Sequence, residues 1–129
     1  MKVHHIGYAV KNIEDSMQHF QILGYKPISE IVADPIRNVK IVFLQNDAEK
    51  IELVAPNGEN TPVDSVLKKS GPAPYHICYE VEDIEEAIAR LGKKWLVIRK
   101  PEIAPAIDNR KVAFLLNSKI GLIELVENK

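Results

Sequence analysis

His5 and His76 stand 71 residues apart, and Glu52 and Glu124 one residue more. Glu52 sits between Ile51 and Leu53, Glu124 between Ile123 and Leu125, and each histidine leads into an apolar run. A carboxylate in the middle of an apolar strand is costly to bury unless it is paired or bound to a metal. Two imidazoles and two carboxylates form a donor set suited to one divalent borderline ion: zinc, nickel, cobalt, ferrous iron or manganese.

The spacing belongs to a longer pattern, because the chain repeats itself. The ten residues His5–Glu14 align with His76–Glu85 at an offset of 71, with six identities. Lys40, Phe43 and Leu44 recur as Lys111, Phe114 and Leu115, and Ile51-Glu52-Leu53-Val54 recurs as Ile123-Glu124-Leu125-Val126. Each copy begins with an alternating strand, residues 3–10 and 76–81. A helix follows, capped by Asn12 and ended by Gly24 in the first copy, and opened by Asp83 and Glu86 as a capping box in the second. Strands are predicted at Ile28–Val32, Val39–Gln45 and Lys50–Ala55, then at Trp95–Arg99, Lys111–Asn117 and Leu122–Glu127. Between the copies, Thr61-Pro62-Val63-Asp64 starts a linker helix with Pro at its first helical position, and Gly71 stops it.

The expected fold is therefore α+β: two tandem βαβββ modules, residues 1–57 and 73–129, joined by a linker helix within 58–72. One helix covers only one face of each small sheet. The modules are thus expected to combine into a curved, mostly antiparallel eight-stranded sheet around a metal-binding cleft. Alternation assigns faces. Ile6, Tyr8 and Val10, like Ile77, Tyr79 and Val81, suit the helix-covered side, leaving His5, Gly7, Ala9, His76, Cys78 and Glu80 for the cleft. Ile51, Leu53, Ile123 and Leu125 go to the core, and Glu52 and Glu124 to the cleft. His4 is expected to point away from His5.

With 129 residues, 46% of them hydrophobic, the chain can bury a real core as one domain. Seventeen Lys and Arg nearly balance 18 Asp and Glu, so no basic field invites a nucleic acid or an anionic membrane surface. No apolar run approaches the roughly 20 residues that span a bilayer. The N-terminal run lacks a signal-peptide core, and the single cysteine, Cys78, allows no internal disulfide, so the cytoplasm is the expected compartment.

Four segments carry a resemblance across nearly the whole chain: His5-Ile6-Gly7-Tyr8-Ala9-Val10, Ile51-Glu52-Leu53-Val54-Ala55-Pro56, Tyr75-His76-Ile77 and Gly121-Leu122-Ile123-Glu124-Leu125. The chain resembles the vicinal-oxygen-chelate superfamily, which includes glyoxalase I, methylmalonyl-CoA epimerase, extradiol dioxygenases and fosfomycin- or bleomycin-resistance proteins. That family's metal positions fall on His5, Glu52, His76 and Glu124. The stretch from Glu52 to Gly71, Ala113-Phe114-Leu115 and the closing Gly121–Glu127 run are most similar to methylmalonyl-CoA epimerases. The His-Glu-His-Glu set itself matches glyoxalase I (lactoylglutathione lyase), the close second reading.

Both readings imply an isomerase or lyase in which the metal accepts substrate oxygens and stabilises an enediolate or enolate. Glu124 or Glu52 would move the proton beside the carbonyl. Epimerisation also needs a second acid–base group. The epimerases' second glutamate aligns with Lys40, which strand parity places in the cleft, on the reading that Val39, Ile41 and Phe43 form the core face. The substrate would be a small molecule, an acyl-CoA or a thiol adduct. Exposed sheet edges, together with the resemblance, point to a homodimer. The alternatives are a ligand-sequestering resistance-type protein and an iron-dependent extradiol-type dioxygenase.

Overall fold

The computed structural model describes residues 1–128. Among them it forms nine strands and three α-helices, in the order β1 (Lys2–Ala9), α1 (Ile13–Ile22), β2 (Lys26–Pro27), β3 (Val32–Asp34), β4 (Val39–Asn46), β5 (Glu49–Pro56), α2 (Asp64–Ser70), β6 (Ala73–Val81), α3 (Ile84–Leu91), β7 (Leu96–Ala104), β8 (Arg110–Asn117) and β9 (Gly121–Glu127). The α+β class expected from the repeat is the class observed. The chain divides into two compact units, one of Ile6–Tyr75 and one of Met1–His5 together with the residues from His76 onward.

In the Ile6–Tyr75 unit, the end of β1 pairs with β5 in parallel, from Ile6 with Ile51 to Ala9 with Val54. Strand β5 pairs with β4 antiparallel along its whole length, and β2 and β3 both add to β4. Helix α1 starts where Asn12 accepts the Asp15 amide on its side chain at 2.9 Å. Gly24, at φ 105°, supplies the left-handed turn after it. Ile13 and Val10 pack with Val42, Leu44, Ile51, Leu53 and Ala55, and Tyr8, Met17, Phe20 and Tyr25 close over them.

The other unit repeats this wiring. Strand β6 pairs with β9 in parallel, from Ile77 with Ile123 to Val81 with Glu127, and β9, β8 and β7 follow antiparallel. Asp83 caps α3 by accepting the Glu86 amide at 3.0 Å. The reciprocal half of the expected capping box is absent, since the Glu86 carboxylate meets Arg90 at 3.2 Å and Glu127 accepts the Ile84 amide at 2.9 Å. Ile84 and Ala87 pack with Val81, Ala113, Leu115, Ile123 and Leu125.

Four further expectations need correction. The predicted strand Ile28–Val32 is instead two short strands, β2 and β3, which raises the strand count from eight to nine. Between them the Ser29 hydroxyl takes the Phe43 amide at 2.9 Å, so a side chain stands where a strand carbonyl would continue the ladder. Ile6 and Ile77, expected in the core, are 37% and 38% exposed, because the helix-packed clusters begin at Tyr8 and Tyr79. Strand β7 runs on to Ala104, past the expected end at Arg99, through two register irregularities. The linker helix forms as α2 and ends at Gly71 as expected, but begins at Asp64, beyond Pro62.

Candidate metal centre

Strand β9 fixes Glu124 by what its neighbours do. Ile123 and Leu125 enter the helix-packed core, so the intervening side chain must take the opposite face. Phe114, the register partner of Glu124 on β8, shares that face. His5 on β1 and His76 on β6 reach the same carboxylate. His5 Nε2 lies 3.1 Å from Glu124 Oε1, His76 Nε2 lies 3.0 Å from that oxygen, and the two Nε2 atoms are 3.4 Å apart. Neither histidine side chain is exposed, and that of Glu124 is 4% exposed.

These three separations test whether an ion fits. Bonds of about 2.1 Å from a divalent metal to nitrogen or oxygen require donor–donor edges of about 3.0 Å in an octahedron and about 3.4 Å in a tetrahedron. The observed edges, 3.0, 3.1 and 3.4 Å, span that interval. The donors are two borderline imidazoles and a hard carboxylate, all shielded from water, which suits a borderline divalent cation. His5, His76 and Glu124 therefore fit a metal ion in both chemistry and spacing.

Each ring has a second support. Phe114 meets His76 edge-on, with centroids 5.2 Å apart and planes at 90°. His4 meets His5 through nitrogen, Nδ1 to Nδ1 at 2.7 Å. Neither support was anticipated among the candidate site residues. Phe114 carried a signal, since it repeats Phe43 at the metal-ligand offset. His4 carried none, and its expected separation from His5 is corrected by the contact.

The Ile6–Tyr75 unit positions Glu52 in the same way. Ile51 and Leu53 lie in the helix-packed core, while Glu52 faces oppositely, 4% exposed, in register with Gly7 on one side and Phe43 on the other. Lys40 does not share that face. It pairs with Ala55 and lies on the same face of β4 as Val42 and Leu44, whose side chains pack under α1, and it is exposed. The expectation that Lys40 lines the cleft is thus corrected by the register of β4 on β5. Lys40→Ala is expected to leave turnover within about twofold of wild type, as for a surface change. A steady-state comparison of the variant with wild type checks this.

The lesser candidates are also placed. Cys78 is fully buried, and Glu80 lies 3.9 Å from the Arg110 guanidinium. His19 lines a shallow apolar groove with Tyr8, Phe20 and Leu23.

Fold and donor set together define the class. The chain belongs to the Glyoxalase/Bleomycin resistance protein/Dioxygenase superfamily, with residues 4–114 matched. Within it, the chain is 31% identical over 129 residues to the mitochondrial methylmalonyl-CoA epimerase of Dictyostelium discoideum, covering 98% of this chain and 78% of that protein. It is 34% identical over 107 residues to the ethylmalonyl-CoA/methylmalonyl-CoA epimerase of Cereibacter sphaeroides, covering 79% of each. Among solved structures it is similar to hypothetical protein BH1468 of Bacillus halodurans C-125, with a TM-score of 0.86 at 32% identity over 99% of this chain and 94% of that one.

Proposed function

We propose that this chain is a metal-dependent epimerase that exchanges the α-proton of a branched acyl-CoA of the methylmalonyl-CoA class. The observation that carries the reading is the convergence of His5, His76 and Glu124 on one point, in a chain whose relatives are named as epimerases of such thioesters. Glu52 is proposed as the fourth ligand. Its register partner Gly7 lies two residues beyond His5 on β1, and alternate residues of a strand share a face at about 6.6 Å spacing.

A divalent ion, when bound, supplies a Lewis acid that lowers the cost of negative charge on a carbonyl oxygen. The protein's residues do the rest. His5 and His76 hold their donor atoms in place, and the burial of both rings excludes water. Inversion at a carbon acid requires one group to take the proton from one face and another to return a proton to the opposite face. Glu124 and Glu52 are proposed as that pair. They are related by the internal repeat, and the register of β4 on β5 turns Lys40 away from the face that carries Glu52.

The assay that tests the reading supplies one stereoisomer of methylmalonyl-CoA to the metal-loaded protein and, separately, the methylglyoxal–glutathione adduct. Formation of the other stereoisomer supports it. Turnover of the glutathione adduct alone would assign the chain to lactoylglutathione lyase chemistry, which the His-Glu-His-Glu set also suits.

A homodimer is proposed as the working form. Strand β7 ends the strand order of its unit and presents Leu96 and Ile98, 62% and 50% exposed; symmetric association covers such an edge. Light scattering at micromolar concentration is expected to give twice the 14.5 kDa chain mass, and a monomer would refute the proposal. No helix among the described residues is long and apolar enough to cross a membrane. A chain with a single cysteine, Cys78, forms no internal disulfide, and the cytoplasm is the proposed compartment.

A further inference from the structure

Neighbouring side chains on a strand leave the backbone on opposite faces, yet His4 and His5 meet. Their Nδ1 atoms are 2.7 Å apart, and their rings cross edge-on at 79° with centroids 5.0 Å apart. An N···N separation this short between imidazoles requires a proton between them, donated by one ring and accepted by the other. The direction matters because His5 uses its other nitrogen, Nε2, toward Glu124 and His76. If His4 donates, neutral His5 carries its proton on Nε2 and offers no lone pair there. If His5 donates, its Nδ1 carries the proton and Nε2 presents a lone pair to the site.

We propose that His4 is a positioning residue for His5: His4 Nδ1 accepts the His5 Nδ1–H and so holds the His5 ring in the tautomer and orientation that bind a divalent ion through Nε2. The inference rests on the reading of His5 as a metal ligand. Histidine ligands commonly donate their remote N–H to a carboxylate, a backbone carbonyl or a water, and loss of that partner typically lowers metal affinity about 10- to 100-fold. Here the partner is a second imidazole from the adjacent residue. Its own proton must then sit on Nε2, so the pair fixes two tautomers at once. Phe114 packs edge-on against the other ring, His76.

The test measures Zn(II) affinity by competition with a chromophoric chelator for wild type, His4→Ala, His4→Asn and His5→Ala. Wild type is expected to bind one ion per chain and His5→Ala to lose binding. His4→Ala should weaken binding about 10- to 100-fold, and His4→Asn, whose Oδ1 can accept the same N–H, should recover most of the loss. Wild-type affinity in His4→Ala, with binding lost in His5→Ala, overturns the role of His4 while leaving the metal reading standing. A wild-type protein that binds no zinc overturns both. Should His4→Ala fail to fold, nitrogen-15 shifts of the zinc-loaded wild type decide the matter. His4 protonated on Nε2 and accepting on Nδ1 supports the proposal, and His4 protonated on Nδ1 contradicts it.

Discussion

Glu124→Gln is expected to lower epimerase turnover by about a thousandfold, within the 10²–10⁴ range for removing a positioned acid–base group, while leaving the fold intact. The substitution changes one atom and nearly preserves shape, so Ile123 and Leu125 still pack beneath α3. What changes is charge. Glu124 Oε1 is the atom that both His5 Nε2 and His76 Nε2 approach, at 3.1 and 3.0 Å, and an amide there is a weaker donor to a cation. An amide also cannot take up the α-proton. Turnover and metal content are both expected to fall, and the two readouts separate the roles. If zinc content survives and turnover does not, Glu124 acts mainly as the proton carrier. Turnover within tenfold of wild type would remove Glu124 from the acid–base pair.

Removal of the ion is expected to have an effect of similar size. Exhaustive dialysis against a strong chelator should reduce turnover to background, and readdition of cobalt, zinc, nickel or manganese should restore it, with the rank of the metals identifying the preferred ion. Stability should move with occupancy. An ion present at about a hundred times its dissociation constant favours the folded state by about 2.7 kcal/mol. Calorimetry should therefore show a lower melting temperature after chelation, reversed on reloading. Undiminished turnover in protein shown by elemental analysis to be metal-free would contradict the proposed role of the ion.

The parts of the fold and site that were legible in the sequence were those where one face is apolar and the other is not. Ile51 and Leu53 flank Glu52, and Ile123 and Leu125 flank Glu124; in each case two core residues dictate the facing of the carboxylate between them. Strand β4 gives no such instruction. Val39, Ile41, Val42, Phe43 and Leu44 are all buried, so both faces are apolar and alternation alone cannot say which side Lys40 takes. The answer comes from the pairing of Phe43 with Glu52 and of Lys40 with Ala55, a tertiary fact. The break at Ser29 depends likewise on a hydroxyl reaching the Phe43 amide on another strand. For His4, alternation describes where Cβ leaves the backbone and says nothing of where a ring nitrogen ends. The exposure of Ile6 and Ile77 reflects how far each helix reaches along its strand, a length that hydrophobic patterning does not encode.

The most direct test of the central claim, that His5, His76 and the two glutamates hold an ion and exchange an α-proton, is the uptake of deuterium by methylmalonyl-CoA in heavy water. Metal-loaded wild-type protein is expected to label the α-carbon of either stereoisomer at catalytic rates, read by mass spectrometry. Glu124→Gln and the chelated protein should label it no faster than buffer. Folded, metal-loaded protein that leaves the α-carbon unlabelled in both stereoisomers would contradict the account.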